Sequence, residues 1–98
     1  MADRTRYLLT YDIRHPRRLR RVHRVATDYG EPLQYSVFVC DLTAVELIAL
    51  REKLLTEMKT SEDSVSIFDL GPPARRGVEC IEFLGVRRSL PEDGPAIW

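Results

Sequence analysis

One carboxylate and a block of guanidiniums stand side by side near the start of this chain. Asp12 closes the apolar run Tyr7-Leu8-Leu9-Thr10-Tyr11-Asp12, and the stretch from Arg14 to Arg24 then holds six arginines, two histidines and no acid. A carboxylate at a strand end can ligate a hard cation such as Mg²⁺, which takes oxygen ligands and keeps several waters. Guanidiniums bind phosphate by charge and by their fixed N–H donors. The combination points to metal-assisted chemistry on a polyanion. Asp12 has two readings at this level: a metal ligand, or an Asx-type turn residue that hydrogen-bonds the backbone ahead of the next helix. A single Asp per chain is a poor Mg²⁺ site, and two copies brought together across a two-fold axis make a better one.

Arg14, Arg17, Arg18, Arg20, Arg21 and Arg24 can each neutralise a phosphate, in binding that is independent of base sequence and weakened by salt. The bland alternative is a solvated basic helix face paired with nearby acids. Arg75 and Arg76 lie in a loop between Gly71 and Gly77 and can also reach a nucleic-acid backbone. No zinc finger, RNP motif or P-loop accompanies them. His15 and His23 match no ligand pattern; His15 reads as part of a helix entry and His23 as a helix-flank residue. Ser36 lacks a GxSxG elbow, and no Ser/His/Asp set is present. Cys40 reads as a small buried hydrophobe. Cys40 and Cys80 form no CxxC or Cys/His metal pattern. Phe38 sits in a strand, with core packing and base stacking as its two readings.

These residues need elements to hold them. Tyr7 to Asp12 reads as a buried strand. His15-Pro16 opens a helix, since proline suits the first helical position. Leu19, Val22, Ala26 and Tyr29 share one face of it, Arg17, Arg20, Arg21 and Arg24 the other, and Gly30 ends it. Leu33 to Leu42 is β-type throughout and is either one strand or two with a bend near Ser36-Val37. Thr43 and Glu46 fit a capping box before a helix whose inner face carries Leu47, Leu50, Leu54 and Met58. Val65 to Leu70 and Val78 to Leu84 read as further strands, separated by the loop Gly71–Gly77. The order predicts an α+β chain: a ferredoxin-like βαββαβ sandwich with an extra C-terminal strand and two helices on one face of a mainly antiparallel sheet. The last strand would leave an open edge suited to pairing with another copy.

Ninety-eight residues make a single domain, read as 1–84 with a tail over 85–98 that can pack on a partner subunit. The core at this size is thin, so a dimer interface would add burial. No apolar run approaches the ~20 residues that span a bilayer, and no secretory signal is visible, so a cytoplasmic protein without membrane contact is expected. The net charge is zero, yet residues 4–24 balance at +7 and residues 25–74 at −6. Such polarity steers an anionic ligand to one end of a domain.

The segments YLLTYDI at 7–13, PRRLRRV at 16–22, DYGEPLQYSVFVCDL at 28–42 and DSVSIFDL at 63–70 resemble those of CRISPR-associated protein two, the small core protein of spacer acquisition. The resemblance spans roughly residues 5–84. It implies a ferredoxin-like homodimer whose C-terminal strand pairs with the partner subunit. It implies that Asp12 is the family aspartate, with two Asp12 side chains facing each other around Mg²⁺ or Mn²⁺. By the same resemblance Tyr11 joins Asp12 at the catalytic position, and the helix arginines, Ser36 and Phe38 join the nucleic-acid contacts. The implied activity is endonucleolytic cleavage of single-stranded RNA or of DNA. The implied alternative is a non-catalytic DNA-binding scaffold that docks the CRISPR integrase subunit. One departure is visible: some members are basic just before QYSVF, where this chain has Glu31-Pro32-Leu33.

Overall fold

A computed structural model describes residues 3–76 and 80–86. Six elements follow in order: β1 (Thr5–Asp12), α1 (Pro16–Tyr29), β2 (Glu31–Gln34), β3 (Val37–Leu42), α2 (Ala44–Glu57) and β4 (Ser64–Gly71). The strands form one sheet in the order β2-β3-β1-β4, and every neighbouring pair is antiparallel. This is the split βαβ arrangement of the ferredoxin-like fold, in which each helix crosses over between strands that are not neighbours.

Alternation along the strands sorts residues between two faces. Leu9, Tyr11 and Ile13, with Phe38, Cys40 and Leu42 of β3, point under the helices. There they meet Val22, Val25 and Ala26 of α1 and Leu47, Leu50 and Leu54 of α2. The opposite face carries Leu8, Val37 and Val39. It also carries a buried Arg6–Asp41 pair, joined by Nε–Oδ1 at 2.8 Å and Nη2–Oδ2 at 2.9 Å.

Local chemistry accounts for the helix ends. Pro16 opens α1, and the His15 ring accepts the Arg17 N–H through Nδ1 at 3.1 Å. Thr43 and Glu46 form both halves of the capping box on α2, at 3.2 and 2.9 Å. Gly30 follows α1 where the chain passes close to β3; a Cβ there would collide with the Val39 carbonyl and the Cys40 sulfur. Glycine is required by that approach rather than by its backbone angles.

The stretch 33–42 is a pair of strands, not one: β2 and β3 form a hairpin turned at Tyr35-Ser36, with a register shift between Pro32 and Gln34. Of the expected C-terminal strand over Val78–Leu84, the described residues 80–84 form no ladder within the single chain. Ile81 and Phe83 pack over Leu33 and Val39, so the segment lies across the helix-free face of the sheet instead of along an edge. A ladder needs a neighbour's N–H and C=O groups alongside, and that position offers side chains only. Val78 and the tail from residue 87 to Trp98 lie outside the described residues. Among the described residues no helix is long and apolar enough to cross a membrane.

Candidate functional site

Asp12 is the last residue of β1, and its side chain is 66% exposed. Its register partner is Ser64 at the start of β4, and the pairs Thr10–Ser66 and Leu8–Phe68 continue along the same face. Asp12 therefore belongs to the helix-free face. The Arg14 guanidinium pairs with it, with Nη1 at 3.2 Å from Oδ2. Both groups are about two-thirds solvated, and exposed pairs of this kind contribute about 1 kcal/mol at most, so the contact yields easily to a stronger ligand.

The turn role that sequence offered to Asp12 is filled by Asp63. Asp63 is buried, and its carboxylate accepts the Arg14 N–H at 2.9 Å and the Lys59 N–H at 2.8 Å. It also receives Arg18 Nε at 2.8 Å and Nη2 at 3.1 Å. The Arg18 guanidinium, the two backbone donors and the favourable charge hold the Asp63 carboxyl well below the usual carboxylate range, against the cost of burial. Asp12 is thus spared structural duty, while Arg18 is committed to it. Arg18 also reaches Glu62 at 2.9 Å and is well shielded from solvent, so it is placed as a tie between α1 and the α2–β4 turn rather than on the outward basic face.

Arg14, Arg17, Arg20, Arg21 and Arg24 are exposed, four of them along α1 and Arg14 just before it. Arg75 and Arg76 are exposed too, but they follow Gly71, whose register partner is Arg6. They stand at the other end of β1 from Asp12, about 20 Å away at the usual rise per strand residue.

Tyr11 and Asp12 are chain neighbours on opposite faces of β1. Tyr11 is buried under α1, where its hydroxyl meets His23 Nδ1 at 3.0 Å and the Tyr35 carbonyl at 3.2 Å. Burial, and secondarily the nearby Tyr35, push its pKa up to about 12, so it remains a neutral hydroxyl at pH 7. The Tyr11 N–H donates to the Ser36 carbonyl at 3.2 Å. Tyr11 therefore clamps the β2–β3 turn from side chain and backbone together, and Ser36 comes to the same sheet end as Asp12. Phe38 is fully buried and presents no face to a ligand. Its neighbour in the motif, Tyr35, is 63% exposed and stacks on His23, with centroids 5.1 Å apart and planes 18° from parallel. Sequence alone does not reveal this pair, because His23 and Tyr35 lie on different elements. Cys40 is buried and its thiol is pushed up to about 12 by desolvation, which fits a packing role.

Among the described residues no three His, Cys, Asp or Glu side chains gather to hold a metal ion. Asp12 offers an oxygen donor of the right kind, exposed and paired weakly with Arg14, while the Asp63 carboxylate at this end of the sheet is already occupied by Arg18 and the N–H groups of Arg14 and Lys59. The donor set fits half of an Mg²⁺ site.

Comparison with known proteins bears on this arrangement. The profile of the family described as CRISPR associated protein Cas2 matches residues 5–76. A protein of Nitratidesulfovibrio vulgaris named CRISPR-associated endoribonuclease Cas2 is 34% identical over 95 residues, covering 92% of this chain and 90% of that one. A CRISPR-associated endonuclease Cas2 of Halalkalibacterium halodurans is 31% identical over 96 residues, covering 93% and 97%. Among solved structures, Streptococcus pyogenes Cas2 superposes with a TM-score of 0.72 at 32% identity, over 82% of this chain and 99% of that one.

Proposed function

This chain belongs to the CRISPR-associated Cas2 family, and from that premise we propose that it is a metal-dependent endonuclease of spacer acquisition, cleaving phosphodiester bonds of RNA or DNA as a homodimer. The observation that carries the reading is Asp12: a solvated carboxylate at a strand end, relieved of backbone duty by Asp63. It faces the side of the sheet on which Phe68 is half exposed. A groove of about 550 Å³ opens on that side between Leu8, Leu33, Val37 and the segment bearing Ile81 and Phe83. Exposed apolar surface around a half-built site favours a second copy there. Two Asp12 carboxylates would then hold one Mg²⁺, or Mn²⁺. When bound, such an ion supplies activation of a water and neutralisation of charge on the phosphate.

The chain's own residues do the rest. Arg14, once released from Asp12, is a donor for the phosphate under attack. The exposed arginines of α1 hold the backbone of the substrate by charge. Tyr11 is a poor general base at neutral pH because its hydroxyl stays protonated, and it serves by fixing the turn beside Asp12. The cytosol is the compartment we assign to this activity.

A second reading also rests on geometry. The α1 arginines face outward from the helix layer, while Asp12 lies on the opposite side of the sheet. That separation suits a dimer that holds duplex DNA and docks an integrase subunit without cutting. Two variants discriminate. Asp12→Asn is expected to lose Mg²⁺-dependent cleavage, by at least the roughly ten- to hundredfold that losing an outer-shell partner of a metal ligand costs, while the dimer stays folded. Full cleavage by highly purified Asp12→Asn protein overturns the nuclease reading. Spacer integration that tolerates Asp12→Asn but fails with Arg20→Glu/Arg21→Glu would establish the scaffold.

A further inference from the structure

Tyr35 is unusual for a hairpin turn. Two-residue turns favour glycine, asparagine and aspartate, which adopt the required backbone at little cost. Here a large aromatic stands 63% exposed at that place. Exposure alone would mean little, since many single aromatics are solvated. What matters is that one face of the ring is already backed. His23 stacks beneath it at 5.1 Å, is held at Nδ1 by the Tyr11 hydroxyl at 3.0 Å, and rests edge-on against Phe38 at 5.4 Å. The backbone of the turn is pinned as well, by the Tyr11 hydroxyl at the Tyr35 carbonyl and the Tyr11 N–H at the Ser36 carbonyl. A rigid aromatic with one face supported and the other open is prepared for a further planar ring, because little freedom is lost on contact.

The surroundings specify the ring. His23 lies on α1, and the exposed Arg20 precedes it by one helical turn on the same side. A ligand stacked on Tyr35 would thus have a guanidinium close by for an attached phosphate. We propose that Tyr35 is a stacking platform for one unpaired nucleobase of the bound strand, with His23 as the positioning residue that backs it. The proposal rests on the nucleic-acid reading above but is independent of cleavage. An unpaired base is specified because bases inside a duplex have both faces covered by their neighbours. Nothing in the platform distinguishes one base from another, so the contact is expected to be tolerant of sequence.

The test uses the full chain in EDTA, with a single-stranded RNA carrying 2-aminopurine and, separately, a relaxed circular DNA duplex. Tyr35→Ala is expected to weaken the single strand by about five- to 150-fold, the range for one lost base stack, and to abolish the quenching of 2-aminopurine. The salt dependence of binding should not change. Tyr35→Phe should keep affinity and quenching, and Arg20→Ala should lower the salt slope by about one phosphate contact while leaving quenching in place. Duplex binding by Tyr35→Ala should equal that of the wild type. If Tyr35→Ala binds and quenches the strand as the wild type does, the platform is overturned while nucleic-acid binding stands. An equal loss on the circular duplex overturns it too, as the mark of a collapsed turn. If the wild type binds neither probe, the nucleic-acid reading falls, and the platform with it.

Discussion

At the scale of single residues, two aspartates stand in opposite surroundings. Asp12 is exposed and paired weakly, so its carboxylate is available. Asp63 is buried with its oxygens fully occupied by Arg18 and the N–H groups of Arg14 and Lys59. Sequence made Asp12 visible, because it closes an apolar run just before an arginine block. It hid Asp63, whose donors Arg14 and Arg18 are 49 and 45 residues away. For the same reason Arg18 looked like its neighbours in the block, and only the fold separates it from them. Because Asp63's folded-state pKa is depressed, its contribution to stability is full above the unfolded value of about 3.9 and is lost as pH falls below that, toward the folded value. Asp63→Asn should therefore lower the melting temperature at pH 7 and flatten the loss between about pH 4 and pH 2; thermal melts across that range check both. An unchanged acid limb in Asp63→Asn would show that another group controls it.

At the scale of elements, legibility followed the reach of the interactions. The capping box of α2 was readable because Thr43 and Glu46 lie three residues apart, and both bonds are present. Replacing Thr43 with Ala should cost about 1 kcal/mol, within a range of about 0.5–2, and chemical denaturation with an unchanged m-value checks this. The break between β2 and β3 was not readable with certainty. Leu33 to Leu42 is β-favouring throughout, and no glycine, proline or asparagine marks the turn. The turn is imposed from β1, by Tyr11 holding Tyr35 and Ser36. The described part of the Val78–Leu84 stretch pairs with no strand of its own chain, for a related reason. Its pattern shows that it is apolar, but pattern says nothing about whether a partner edge lies beside it or a face beneath it. The same limit applied to the QYSVF motif: Phe38 and Tyr35 are both aromatic in sequence, yet one is core and the other surface.

At the scale of the whole molecule, the fold separates the proposed phosphate contacts from the proposed metal ligand, one on each side of the sheet. The helix layer turns exposed arginines outward, and the helix-free face carries Asp12 with exposed Phe68 and, on the segment that crosses it, Leu84 and Val86. Among the described residues no group of three His, Cys, Asp or Glu side chains forms there, and Asp12 is paired weakly with Arg14, which is why the proposed site needs two chains. The ferredoxin-like order was legible from alternating strands and helices, and the single sheet β2-β3-β1-β4 agrees with it. The proposed half-site was legible only as a deficit: one carboxylate where a hard cation wants several oxygens. The most direct test is the stoichiometry of Mn²⁺ bound to the purified protein, with its oligomeric state measured alongside, followed by titration calorimetry and electron paramagnetic resonance. One ion per two chains, lost in Asp12→Asn while the dimer persists, is the expected result. One ion per chain, or binding that Asp12→Asn leaves unchanged, would contradict a shared Asp12 site.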